Sequence, residues 1–310
     1  MPATIDVDGV TITSPDVHAD AQLSVSFHRT LRVPDDGSTY DLPPSLGTFP
    51  LRGDGSSRLI DADTHASLPM WQAEACWIDF SGRYPYLVTI GSGAINAVTG
   101  GQWSPVPDFA VEDYFEVPEQ PWLDGFNVGE GEVRQFVAMP LGRGITVEEQ
   151  LSSASATGGI NVAAYPLKAS KWEEMHPSYE YAGEDFCALV VCASPPPMGL
   201  AGGGSIRQSI KTPVRAQDDW DLEHGVHFRV NITNSDAWEQ LTGERPPTLP
   251  PTAAEYARRG LPWFTWYDDA TAPRRGSEAL KGTSSVSDFG GLLDNDSFAK
   301  PEPHVIGPKV

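Results

Sequence analysis

The residues with the most chemical character lie in Pro118-Glu-Gln-Pro-Trp-Leu-Asp-Gly-Phe126. Two prolines stiffen this stretch, Trp122 offers a flat apolar face, and Glu119 and Asp124 supply carboxylates. A rigid loop of that kind can hold a sugar or a cationic ligand, and paired carboxylates can serve acid–base hydrolysis. The plainer alternative is that Trp122 fills the core and Asp124-Gly125 makes a turn. A second dense region, Gly260 to Asp269, brings Trp263, Phe264, Trp266 and Tyr267 into five residues. Extended, it would pack one aromatic side on the body and offer the other to a partner protein, or serve only as a core anchor. A third candidate is Asp219-Trp-Asp-Leu-Glu223. If extended, Asp219, Asp221 and Glu223 share one face, and such a face suits a calcium ion, which wants six or more oxygens. No glycine-turned calcium loop surrounds them, so a solvated acidic edge is the competing reading. His224-Gly-Val-His227 has a metal-like spacing, but strand positions three apart face opposite sides, so these read as surface histidines.

The common enzyme signatures are missing. Gly199 to Gly204 is followed by Ser-Ile-Arg, without the lysine of a phosphate loop. Gly91-Ser-Gly93 lacks the third glycine of a dinucleotide turn. There is no serine elbow leading into a helix, no Cys-x-x-Cys and no His-Glu-x-x-His.

The elements that must position these residues are short and mostly extended. Asp8-Gly9 between two alternating segments predicts a hairpin over 4–13. Alternation predicts strands at 23–33, 74–80, 84–90, 132–141, 160–167 and 226–232, and an apolar run predicts another at 186–193. In 226–232 one face is apolar and the other carries His227, Arg229 and Asn231, the pattern of an antiparallel sheet wet on one side. Capping boxes at Thr146/Glu149, Ser170/Glu173 and Thr252/Glu255, and a Ser235 cap closed by Gly243, predict helices of about two turns. Helices that short survive only by packing on something larger. The expected fold is mainly β: antiparallel sandwich-like sheets, as one large or two tightly associated β domains, with short peripheral helices. The expected organisation is a β-rich part over 1–194, a Pro/Gly-rich joint at 195–204, a part at 205–281 packed on the first, and an extended tail at 282–310.

Composition narrows the classes. The 310 residues are 40% hydrophobic and 20% charged, and 30 Gly with 28 Pro predict many turns. The net charge of −21 would repel a phosphate backbone and an anionic bilayer, so neither nucleic acid nor a membrane is an expected partner. Lysine is scarce beside arginine, and an acid-rich, lysine-poor surface also suits a salty cytoplasm. The start of the chain has aspartates where a signal peptide needs a basic and an apolar region. Cys76, Cys187 and Cys192 make an odd, low count rather than a disulfide framework. Together these predict a soluble cytoplasmic protein.

Val117-Pro-Glu-Gln-Pro-Trp-Leu-Asp-Gly-Phe126, Val133-Arg-Gln-Phe-Val-Ala-Met-Pro-Leu-Gly142 and Gly260-Leu-Pro-Trp-Phe264 resemble blocks of a family of uncharacterised bacterial proteins. The similarity runs from about Phe27 to Asp269 and implies no activity, cofactor or fold. From the residues, the leading expectation is a non-catalytic assembly or scaffold protein that associates with itself or docks other proteins. A ligand-binding module for a sugar or a calcium-like cation is the alternative, using Trp122 and Asp124 or the acidic edge. A carboxylate hydrolase is the third reading. No cofactor is expected beyond that possible calcium.

Overall fold

The computed structural model describes residues 3–6, 8–53, 59–61, 65–175, 197–266, 272–289 and 304–306. The expected strand at 186–193, with Cys187 and Cys192, lies outside the described residues, as does Tyr267.

Alternating sequence builds the first layer. In the strand Gln22–Thr30, Leu23, Val25 and Phe27 are buried while Ser24, Ser26 and His28 are half-buried on the opposite face. The hairpin of Ala3–Ile5 and Val10–Thr13 extends one side of this strand. Ala75–Ser81 pairs along the other, from Ser24↔Ser81 to Thr30↔Ala75. Ala75–Ser81 pairs onward with Glu132–Pro140 through Phe136↔Cys76, and Glu132–Pro140 pairs with Pro197–Ile206. The second layer is Tyr86–Ser92, Ile160–Pro166 and Val226–Asn234, all antiparallel, with Ala66–Met70 added in parallel. Pro197 and Met198 pair with Thr233 and Ile232, so the two layers belong to one continuous sheet.

The inner faces meet in one core. Phe80 sits edge-on to Phe115 at 5.1 Å between ring centroids, and Phe126 to Phe136 at 4.8 Å. Val88, Ile90, Phe228 and Val230 are buried around them. The fold is mainly β, antiparallel and sandwich-like, with short helices at its margins. No helix among the described residues is long and apolar enough to cross a membrane.

Two helix starts follow their capping boxes: Thr146 opens Val147–Leu151 and Thr252 opens Ala253–Arg258. Two differ. The helix Ala169–Met175 begins before Ser170, which therefore sits inside it. Asn234, not Ser235, caps Ser235–Thr242, its side chain accepting from the Asp236 N–H. Asn and Ser cap comparably well, so the position of the preceding strand end decides between them.

The segment read as a joint corrects that reading. Pro197–Ile206 is a ten-residue strand. It runs beside Glu132–Pro140 from Val133↔Ile206 to Pro140↔Met198. Its glycines serve close approach rather than flexibility. A Cβ on Gly203 would meet Val137 Cγ2 at 2.5 Å, and one on Gly204 would collide with the Pro34 carbonyl. The beginning of the expected tail is likewise packed. Thr283, Ser285 and Val286 are buried, and the Val286 N–H donates to the Gly202 carbonyl at 2.9 Å.

Glu148, 1% exposed, ties two loops to the helix Val147–Leu151. Its carboxylate accepts from the N–H groups of Ala94 (2.9 Å), Thr157 (3.1 Å) and Gly158 (2.8 Å) and from the Thr157 hydroxyl (3.2 Å). Removing the acceptor would strand buried donors. Glu148→Ala is expected to cost about 3–5 kcal/mol in chemical denaturation, with Glu148→Gln losing visibly less because it keeps one oxygen. A cost within about 0.5 kcal/mol for Glu148→Ala would show that these loops hold without it.

Candidate functional site

The half-buried outer face of the first layer gathers the most chemistry. The antiparallel register sets His28 opposite Trp77 and Ser26 opposite Asp79. On the far side of Ala75–Ser81, the short strand Trp122–Leu123 pairs as Trp122↔Asp79 and Leu123↔Ile78. Directly paired residues of an antiparallel ladder share a face. Trp77, Asp79 and Trp122 thus share one face, with His28 on one flank, and Asp124 joins them through its bond to Trp122.

Each group has defined partners. The His28 ring stacks on Trp77 at 4.1 Å between centroids and 11° between planes. Its Nδ1 lies 2.9 Å from the Ser45 hydroxyl and its Nε2 3.3 Å from the Ser26 hydroxyl. Burial holds the imidazole below its ordinary pKa, against the pull of the Asp79 charge. Burial also raises the Asp79 carboxyl, opposed by the Ser81 hydroxyl donating at 2.6 Å and by His28. The Trp77 Nε1–H is buried without a hydrogen-bond partner among the described residues.

Trp122 is half-buried and donates its Nε1–H to Asp124 Oδ2 at 2.5 Å. The backbone around this pair is pinned by two buried glutamines. Gln208 accepts from the Asp124 N–H at 2.9 Å and donates to the Trp122 carbonyl at 3.2 Å. Gln120 donates to the same carbonyl at 2.7 Å and accepts from the Lys211 N–H at 2.8 Å. Asp124 is 3% exposed, and burial pushes its carboxyl up to about 7, the Trp122 bond only partly opposing it. A carboxyl poised near neutrality on a half-buried face can donate or accept a proton or a hydrogen bond.

The other expected site residues lie elsewhere. Glu119 is bound to Arg215 at 2.7 Å, and Arg215 also grips the buried Glu116 at 2.8 Å and lies 5.8 Å over the Trp220 ring. Glu119 is therefore committed to Arg215 rather than to Asp124. The segment 219–223 is not extended. Gln217–Asp219 is a 3₁₀ turn in which Asp219 accepts from the Ala216 N–H at 3.0 Å, and Asp221 pairs with its own neighbour His224 at 2.9 Å. Asp219 closes that turn and the chain then bends at 222–224, so Asp219, Asp221 and Glu223 do not lie along one strand as the calcium reading required. Among the described residues no three His, Cys, Asp or Glu side chains gather as a metal set. Trp263 is buried against Tyr40 and Tyr256, and the backbone of Phe264 bonds Leu42 in both directions at 2.8 and 3.0 Å. Phe264–Trp266 pairs in parallel with His304–Ile306.

His28, Trp77 and Asp79 went unnoticed in the sequence. The available signal was their position: in Ala75–Ser81, Trp77 and Asp79 occupy the face opposite Cys76, Ile78 and Phe80. A tryptophan on the polar face of an alternating strand is the anomaly worth marking.

The raised Asp124 carboxyl predicts a pH signature. The folded chain binds this proton more tightly than the unfolded one, whose carboxyl titrates near 3.8. Its stabilisation is complete below that value and is lost as pH rises through about 7. Asp124→Asn keeps an acceptor for Trp122 and removes the titration. It is expected to flatten the fall in stability between pH 4 and pH 7, a fall of up to about 4 kcal/mol, and to leave the mutant more stable than the parent at pH 8. Parallel pH–stability curves would place the Asp124 carboxyl in a wetter setting than this one. No protein-family model, no curated protein and no solved structure matches this chain, so the geometry of this face carries the functional argument alone.

Proposed function

We propose that this protein is a ligand-binding module for a polyhydroxylated, sugar-like molecule, held on the outer face around Trp77, Asp79, Trp122 and Asp124. One observation carries this reading: the register that lays Trp122 beside Asp79 also puts Asp79 on the same face as Trp77, with His28 stacked against Trp77. Sugars combine an apolar ring face with a rim of hydroxyls, and a tryptophan edged by carboxylate and imidazole answers both. The hydroxyls of Ser26, Ser45 and Ser81 add further polar groups at this face. A reduced, cytoplasmic setting fits the buried free thiol of Cys76.

The features that suggested assembly are partly taken up by the fold itself: Trp263 packs inside, the glycine-rich segment is a strand, and Thr283, Ser285 and Val286 are buried. Self-association keeps one favouring observation. Val111 and Val214 are 57% and 61% exposed, the first with its carbonyl bonded to Arg274 and the second with its N–H bonded to Glu116. Native mass spectrometry reads this directly, with a stable multimer as its expected sign and a bare monomer ending it.

Binding is tested by intrinsic tryptophan fluorescence during titration with soluble neutral oligosaccharides, alongside thermal shift. Saturable change is expected for the parent. Trp122→Ala and Asp79→Asn should each weaken binding about tenfold or more while the fold persists. The same incubations, checked for shortened oligosaccharide, separate binding from carboxylate-driven hydrolysis. A broad panel that moves neither fluorescence nor melting would end this reading.

A further inference from the structure

The outer face of the second layer holds a different cluster, unrelated to the face described above. Two cross-strand rows define it. Thr89, Ala163 and His227 form one row, and Gly91, Asn161 and Arg229 the next. In the first row the central residue is an alanine, so the polar groups of Thr89 and His227 flank a recess two strand spacings wide, about 10 Å between backbones. Trp103 roofs it. The indole lies directly on Gly91, where a Cβ would meet ring atoms at 2.6–2.9 Å, and its ring packs against His227 at 5.1 Å between centroids. His65, which precedes the parallel strand Ala66–Met70, reaches the same neighbourhood.

The polar groups facing this recess are unsatisfied. Thr89 is fully buried, and its Oγ1 has no hydrogen-bond partner among the described residues. The same holds for Trp103 Nε1 and His65 Nδ1, both buried atoms. Buried polar atoms without partners are rare because each costs its full desolvation, so three around one recess call for a missing partner. The indole N–H can only donate, whereas the threonine hydroxyl and the neutral imidazoles can donate or accept, and Arg229 lies in the adjoining row with its guanidinium bonded to Asn231, Thr157 and Gly158. Burial, and after it the charge of the neighbouring His65, hold the His227 pKa below its ordinary value.

We infer that Thr89, Trp103, His65 and His227 form a second site that takes a small oxyanion, a carboxylate or phosphate oxygen accepting from the donor-only Trp103 N–H and from hydroxyl or imidazole donors beside it. A metal ion fits less well, because an indole N–H cannot ligate one. The site is independent of the proposed sugar-binding face, so either can fail alone.

The test is NMR titration of the intact protein with sodium acetate and, separately, inorganic phosphate at constant ionic strength, following the Trp103 indole N–H and the histidine ring signals. Trp103→Phe identifies the indole signal by its disappearance. Saturable shifts of Trp103, His65 and His227 together are expected with at least one anion, acetate alone marking a carboxylate site and phosphate alone a phosphate site. Thr89→Val, which keeps the side-chain shape, should weaken that binding about tenfold, and His227→Gln should weaken it as well. Absence of saturable shifts with both anions would overturn the inference, as would shifts of equal affinity in Thr89→Val.

Discussion

The close passage of the strand Pro197–Ile206 against its neighbours is the constraint on which the two layers depend. Its first residues pair with Val226–Asn234 and the rest with Glu132–Pro140, so one strand belongs to both layers. That is possible only because the backbone there is bare. Gly199 leaves room for Leu141 and Thr146, Gly202 for Arg134, Gly203 for Val137 and Gly204 for the Pro34 carbonyl. Larger side chains would push Glu132–Pro140 and the 31–35 segment away, and with them the buried Gln135 that bridges Leu31 and Val33.

The acidic character of this chain shapes its interior as well as its surface. Several carboxylates are buried, and each is managed differently. Glu74 is held by Arg29 at 2.6 Å and by the Trp71 N–H; Glu116 by Arg215 and two N–H groups; Glu148 by N–H groups and a hydroxyl. Charge on these groups is supported by a cation or by several donors. Asp113 and Asp124 have less support, one N–H from Asp108 and one side-chain donor from Trp122, and burial drives the Asp124 carboxyl toward neutrality.

The two outer faces differ for a simple reason. On the first layer, Trp77 and Trp122 are themselves the surface. On the second, small residues at Gly91 and Ala163 allow Trp103 to lie over the strands and close a recess. Both proposed sites sit where alternation directs side chains away from the core, and the sandwich interior between them is mainly apolar.

Much of the architecture was legible in sequence. Alternation in 23–30 and 226–232 determined which side chains face the core, because a strand sends successive residues to opposite sides. The Asp8-Gly9 hairpin and the Thr146 and Thr252 caps are local devices whose bonds close within a few residues, so local sequence suffices. Trp122 and Asp124 were recognisable as chemistry, but what surrounds them was not. Their neighbours His28, Trp77 and Asp79 lie some 45 to 95 positions earlier, and only the pairing register brings them alongside. The same holds where the sequence misled. Prolines and glycines at 195–204 have turn chemistry, yet tertiary packing made most of that stretch a strand because close neighbours needed bare backbone. The acids at 219–223 share a face only if extended, and the chain there passes from a 3₁₀ turn ending at Asp219 into a bend at 222–224 rather than a strand. The sequence by itself determined the period, the caps and the charge; the tertiary structure decided which distant residues meet, since register is a property of paired strands and not of either strand alone.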